Sequence, residues 1–166
     1  MSDREHLRQL WQDLCNRQGL NRTGASSVYT PADLEADAHQ WLSGVFGENL
    51  PEFSLPTYLY WWLEEVATTA WTDSPTNPWR RFVPGRQIIA LSDDARWVDD
   101  PPECRTIYLA LGGWSDRHYY LVNCSPNHPD FGSISDYNDT HPWMNSRATP
   151  EHFWPDMTAF LARDAE

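Results

Sequence analysis

The chain of 166 residues has the size of one domain, and its 40% hydrophobic content, with 10 Trp, is sufficient for one core. Its 24 acidic and 12 basic residues give a formal net charge of −12, and every basic residue is arginine, because the sequence has no lysine. A phosphate-binding surface needs clustered cations, so this balance argues against direct binding of nucleic acid or of anionic membranes.

The hydropathy and the cysteines predict a soluble cytoplasmic protein. No apolar run approaches the ~20 residues that span a bilayer, and the chain starts with Met-Ser-Asp-Arg-Glu-His rather than with the pattern of a signal peptide. Cys15, Cys104 and Cys124 are odd in number and show no Cys-x-x-Cys spacing. We therefore expect buried, reduced thiols, and neither a disulfide, a metal nor a cofactor.

The first predicted element is an amphipathic helix. Ser2 and Glu5 form a capping-box pattern, and apolar residues follow at helical spacing until Gly19. These apolar residues are Leu7, Leu10, Trp11 and Leu14. Residues 1–30 carry a net charge of +1 and residues 31–166 a net charge of −13, so the acidity belongs to the main body of the chain.

A second amphipathic helix follows the linker-like residues 21–27. Thr30 is its predicted cap, Pro31 occupies its first position, and Gly47 ends it. Its apolar face contains Leu34, Ala38, Trp41, Leu42, Val45 and Phe46.

A third helix is predicted to begin near residues 54–56, with Glu64 and Glu65 directed toward water or a partner. Its apolar side contains Leu55, Tyr58, Leu59, Trp62 and Val66. Residues 72–85 are rich in proline and are predicted to form a loop.

Alternating patterns in the second half of the chain indicate short strands. The predicted strands are residues 86–92, 105–111, 118–124 and 131–137. Their short connections favour an antiparallel meander over parallel crossovers. A last helix starts at Thr149-Pro150 or at Trp154-Pro155 and packs Met157, Phe160 and Leu161 on the sheet.

A catalytic site is not indicated by any motif. Gly112-Gly113 lacks the lysine and the following helix of a phosphate loop, so it is interpreted as a turn between strands. Cys124 and His128 lie close in sequence, but the prolines around them do not require that they meet. We therefore expect that the protein is not an enzyme.

One set of possible metal ligands leaves a different function open. Asp136, Asp139 and His141 offer the carboxylate and imidazole donors of a divalent-metal site. The alternative interpretation is a turn in which the side chains of Asn138 and Asp139 hydrogen bond to the backbone.

An acidic segment is the strongest functional signal. It places Trp97 among carboxylates, against Arg96 alone, and Pro101-Pro102 stiffen it. Its acidic residues are Asp93, Asp94, Asp99, Asp100 and Glu103. An aromatic ring surrounded by carboxylates is typical of an interface that attracts Arg and Lys and then buries the ring.

The stretch 86–143, together with the final helix, resembles the SUKH superfamily, which includes fungal cell-wall-synthesis regulators and many bacterial proteins. The matching segments are a Leu-Pro at 50–51 or 55–56, the strand regions 115–123 and 130–138, and the last helix at 157–161. The Asn-Gly-Gly that usually follows the second helix of the family is replaced here by Val-Ala-Thr-Thr-Ala-Trp at 66–71.

The resemblance implies an α+β fold, an antiparallel sheet of about four or more strands flanked by N-terminal helices and a C-terminal helix. It divides a single domain, 1–166, into an N-terminal helix and linker (1–30) and a SUKH-like core (31–166). It also implies the role of many bacterial members, an immunity protein that binds and blocks a cognate secreted toxin.

We therefore expect a cytoplasmic immunity protein that neutralises a basic toxin or effector protein by occlusion. The candidate contact residues are Asp93, Asp94, Trp97, Asp99, Asp100, Glu103, Asp136, Asp139 and Trp143. Two alternatives remain: a regulatory scaffold, which would leave its partner active, and a small metal-dependent hydrolase centred on Asp136, Asp139 and His141.

Overall fold

Seven short strands form one antiparallel sheet in which each strand pairs with the next along the chain. The computed structural model describes residues 3–74, 76, 78–95, 106–114, 118–138 and 152–163. The strands are β1 (Asn21–Thr23), β2 (Ala70–Thr72), β3 (Arg80–Phe82), β4 (Tyr108–Trp114), β5 (His118–Asn123), β6 (Ile134–Asn138) and β7 (His152–Trp154). The predicted antiparallel meander is confirmed.

Helices cover this sheet. They are α1 (Asp3–Gln18), α2 (Pro31–Phe46), α3 (Tyr58–Trp61) with its π-helical continuation Trp62–Val66, α4 (Ile88–Ala95) and α5 (Met157–Leu161). The predicted α+β class, with N-terminal helices and a C-terminal helix, is confirmed. Within the described residues, no helix combines the length and the apolar composition needed to cross a membrane.

An aromatic core joins the helices to one face of the sheet. Phe82 of β3 lies at its centre, with ring centroids 5.4 Å from Trp11 of α1, 5.4 Å from Trp62 and 5.6 Å from Tyr120 of β5. Phe160 of α5 contacts the same cluster, with its ring centroid 5.1 Å from that of Tyr120. The Phe82–Tyr120 pair is stacked and the other pairs are edge-to-face. Aromatic contacts of these kinds add about 0.5–1.5 kcal/mol each beyond the burial of area.

Helix α4 covers the other face of the sheet and replaces a predicted strand. Leu91 and Ala95 pack on Ala110 of β4 and Leu121 of β5. The prediction of a strand at 86–92 is wrong. The buried positions of this segment are spaced i, i+3, i+4 and i+7, the spacing of one helical face, and they are Ile88, Leu91, Ser92 and Ala95.

Strands β1 and β3 fall in segments predicted as linker or loop, and β2 overlaps the predicted loop 72–85 only at Thr72. Each has three residues, which is too short for an alternating pattern to be visible. Trp71 of β2 lies opposite both Arg22 and Phe82, and the guanidinium carbon of Arg22 is 5.2 Å from the centroid of the Trp71 ring.

The glycine pair Gly112-Gly113 lies inside β4, so its interpretation as a turn is wrong. A Cβ on Gly112 would stand 2.2 Å from the carbonyl oxygen of Arg81, and one on Gly113 would stand 2.0 Å from that of His118. The register of β4 against β5 shifts between Ala110 and Gly112. Glycine is required here because both neighbouring strands approach the backbone closely.

Candidate partner-binding surface

The structure describes three of the nine predicted contact residues. Asp93 and Asp94 lie on the last turn of α4, and both are exposed. Asp136 lies on β6. The other six, Trp97, Asp99, Asp100, Glu103, Asp139 and Trp143, lie outside the described residues, and so does His141 of the alternative metal site.

Asp136 is fully buried, and this corrects its predicted place in an interface. One carboxylate oxygen accepts a hydrogen bond from the backbone N–H of His152 at 2.6 Å, and the other lies 2.7 Å from His152 Nδ1. The second oxygen accepts from Trp114 Nε1 at 3.3 Å. The carboxylate therefore links β4, β6 and β7 and is not accessible to a partner.

Two carboxylates of α2 share one side of that helix with Trp41. Asp33, Asp37 and Trp41 are spaced i, i+4 and i+8, so they follow one another along a single face. The indole Nε1 of Trp41 donates to Asp93 Oδ1 at 2.9 Å and connects this face to α4. We call Asp33, Asp37, Asp93 and Asp94 the acidic stripe, and all four side chains are exposed.

Hydrogen bonds orient the α2 end of the stripe. Asp33 belongs to a capping box: its backbone N–H donates to Thr30 Oγ1 at 3.1 Å, and its carboxylate accepts from the Thr30 N–H at 2.9 Å. The phenol of Tyr29 donates to the carboxylate of Asp37. Burial, and then the bond to Asp37, raise the pKa of Tyr29, so the phenol stays a donor at neutral pH.

The stripe has no compensating cation among the described residues. Residues 23–79 contain eight acidic residues and no arginine, and α4 contains none either. The ion pairs within the described part of the chain involve Glu64, Glu65, Asp73 and Asp136, none of which belongs to the stripe. The negative potentials of the four carboxylates therefore add at the surface.

The described cysteines are not set up as nucleophiles. Burial raises the pKa of Cys15 to about 12 and the pKa of Cys124 well above its usual range, so both stay protonated at neutral pH. His128 Nδ1 accepts from the backbone N–H of Asp130 at 3.0 Å and lies 3.2 Å from Asn123 Nδ2. Its imidazole therefore organises the turn after β5.

Metal ligands do not cluster in the described residues, where no group of three or more His, Cys, Asp or Glu side chains could hold an ion.

No family model, no curated protein and no solved structure matches the chain.

Sequence reasoning missed the α2 half of the stripe. The signal was present, because Asp33 and Asp37 are four residues apart in a predicted helix and lie in a long segment without arginine. What the sequence did not show is that Trp41 joins this helix to Asp93, since the two residues are 52 positions apart.

Proposed function

We propose that this protein is an immunity protein that captures a basic protein through the acidic stripe. The partner is a cognate toxin, which the immunity protein neutralises by occlusion. One observation carries the proposal. Asp33 and Asp37 lie on one side of α2 with Trp41, Trp41 hydrogen bonds to Asp93 of α4, and Asp94 follows Asp93; all four carboxylates are exposed, and no ion pair with an arginine of the described residues involves them.

The physical effect of such a surface is steering. Aligned charges of one sign raise the association rate of an oppositely charged partner, and they repel partners of the same sign. Asp33 and Asp37 are already held by Thr30 and Tyr29, so little side-chain entropy is lost when a cation binds them. The stripe therefore favours rapid capture of Lys or Arg side chains.

A toxin that acts on nucleic acid would be a suitable partner. Its cleft must carry cations for the phosphate backbone, and carboxylates can occupy the positions of the phosphates. The resemblance of the chain to the SUKH superfamily adds support, because many bacterial members of that family are immunity proteins. The helix-covered antiparallel sheet is compatible with the fold that this resemblance implies.

Co-expression tests the proposal. The protein is produced together with the toxin domain encoded beside its gene, and survival of the host and the activity of the toxin are measured. We expect survival and a complex in which the toxin is inactive. A complex that leaves its partner fully active would instead indicate the regulatory scaffold, and toxicity that persists with no complex would contradict the proposal.

A charge-reversed variant tests the surface. Asp37→Arg with Asp94→Arg should slow association roughly tenfold at low ionic strength, and the difference should shrink as salt screens the charges. Asp13→Arg with Glu48→Arg, both outside the stripe, is the matched control, because it changes the net charge equally. The predicted residues Asp99 and Asp100 are reversed in a separate variant, and an association rate unchanged in both variants would contradict the proposal.

A further inference from the structure

Two adjoining hollows lie around Tyr60, and the second of them reaches Tyr29 at the edge of the acidic stripe. The first, of about 630 Å³, lies between the start of α1, the start of α3 and the start of α5. The second, of about 450 Å³, lies between α1, the segment 28–31 that leads into α2, and α3. Arg4 and Tyr60 line both hollows, so together they form one groove.

The rim of this groove carries exposed apolar side chains. Five large hydrophobic side chains are exposed in the described residues, and three of them line the two hollows. These three are Val28, which is 89% exposed, Tyr60, which is 40% exposed, and Phe131, which is 37% exposed. We call the two hollows with this rim the Tyr60 groove. Adjacent exposed apolar groups of this kind mark interaction sites.

The walls of the groove are held in place from several parts of the chain. The buried hydroxyl of Tyr58 donates to the carbonyl oxygen of Gly132 at 2.8 Å and fixes the loop that carries Phe131. Gly132 has φ +84°, a conformation that favours glycine. Arg4 Nη1 lies 2.6 Å from Glu64 Oε2 and connects α1 to the helix behind Tyr60.

The charges around the groove select a cation over an anion. The ionisable residues that line it include three carboxylates, Asp3, Glu64 and Asp156, against one histidine, His6, and one arginine, Arg4, which is already paired with Glu64. Tyr29 lines the second hollow and hydrogen bonds to Asp37 of the acidic stripe, so the groove continues directly into the stripe.

We propose that the Tyr60 groove receives the apolar anchor of the basic partner, a segment in which two large apolar side chains stand next to Lys or Arg. This inference rests on the proposed function and adds the part of the surface that retains the partner after capture. The apolar side chains fill the hollows and exclude water, and the neighbouring cations reach the carboxylates. A second copy of this chain is disfavoured as the occupant, because each copy carries a formal charge of −12.

The test uses the full chain, labelled with ¹⁵N, and two synthetic peptides of equal positive charge. One peptide carries two Trp side chains four positions apart among arginines, and the other carries Ala at those two positions. We expect the Trp peptide to bind about tenfold or more tightly than the Ala peptide. Its chemical-shift changes should include the backbone amides of Tyr60 and Phe131.

Serine variants test whether the Tyr60 groove causes the preference for the Trp peptide. Phe131→Ser should remove the advantage of the Trp peptide, whereas Phe153→Ser should preserve it, because Phe153 is exposed to a similar extent, 48%, but lies outside the groove. Tyr60→Ser is a second variant in the groove. The melting temperature of each variant checks that it folds.

The outcomes separate the two proposals. Equal affinity for the two peptides would contradict the groove proposal, and so would a preference for the Trp peptide that persists in Phe131→Ser and Tyr60→Ser. Neither result would contradict capture by the acidic stripe. Failure of both peptides to bind would overturn both. Concentration-dependent dimerisation that Phe131→Ser abolishes would identify a second copy as the occupant and would also overturn the groove proposal.

Discussion

The two longest helices carry charge in opposite ways. On α1, Arg4 and Arg8 reach across to Glu64 and Glu65, with N···O distances of 2.6 Å in both pairs. On α2, the exposed carboxylates have no arginine within the described residues, and the polar groups that bind them, the Thr30 N–H and the Tyr29 phenol, bring no charge. The positive charges of Arg4 and Arg8 on α1 are therefore neutralised by ion pairs. The negative charges of α2 stay at the surface without a paired arginine among the described residues.

The remaining arginines extend this contrast. Arg17 donates to the carbonyl oxygens of Leu161 and Arg163, Arg80 lies 3.9 Å from Asp73, and Arg163 is buried. Six of the eight described arginines thus contact other parts of the fold. A planar guanidinium binds carbonyls and stacks on rings at the same time, which a lysine cannot do. Most of the described arginines therefore support the fold, whereas the exposed carboxylates of α2 and α4 determine the charge of the surface.

The largest effect is expected at Arg163. Its guanidinium carbon is 3.9 Å from the centroid of the Phe160 ring, and its Nη1 donates to the Phe160 carbonyl at 2.7 Å. Arg163→Ala should lower the free energy of unfolding by roughly 2–4 kcal/mol, because it removes packing, cation–π contacts and a buried donor together. Chemical denaturation measures this loss. Arg86→Ala, at an exposed position, is the control, and equal losses in both variants would contradict a special structural role for Arg163.

Asp136 should give the second largest effect, since it is an acidic residue with a structural role. Asp136→Asn replaces one acceptor oxygen by a donor facing the bonds from His152 and Trp114. We expect a loss of about 2 kcal/mol in the free energy of unfolding. Asp94→Asn in the acidic stripe should change it by less than about 0.5 kcal/mol. A smaller loss at Asp136 than at Asp94 would contradict the assignment of the two carboxylates.

The third prediction concerns the effect of salt on the melting temperature. Screening the repulsion within the acidic stripe stabilises the fold, so the melting temperature should rise by about 2–4 °C between low salt and roughly 0.3 M NaCl. Calorimetry at constant pH measures the change. In the Asp37→Asn, Asp94→Asn double variant the rise should be smaller. A melting temperature that falls with salt would show that the ion pairs of α1 dominate.

The smallest effect concerns the ion pair of Arg4 and Glu64. Their side chains are 49% and 63% exposed, so water screens the attraction between them. A double-mutant cycle with Arg4→Gln and Glu64→Gln should give a coupling free energy below about 1 kcal/mol. A coupling of about 2 kcal/mol or more would mean that this pair stabilises the fold as strongly as the buried arginine does.

Local patterns were sufficient for part of the fold. Apolar spacing predicted α1, apolar spacing with the Thr30 cap predicted α2, alternation predicted β5, and Pro155 marked one of the two predicted starts for α5. The pattern failed at α4, where Ile88 and Ile89 favour a strand by intrinsic preference, while packing of Leu91 and Ala95 on the sheet selects the helix. The short strands β1–β3 form only because each one pairs with a neighbouring strand of the sheet.

The sequence by itself determined the acidity, the antiparallel α+β class and the helical spacing of Asp33 and Asp37, because composition and periodicity are local properties of the chain. Only the tertiary structure decided which charges reach the surface. Burial of Asp136, the bond from Trp41 to Asp93 and the placement of the arginines depend on residues that are distant in sequence. Such contacts are set by how the helices pack on the sheet, which no local pattern records.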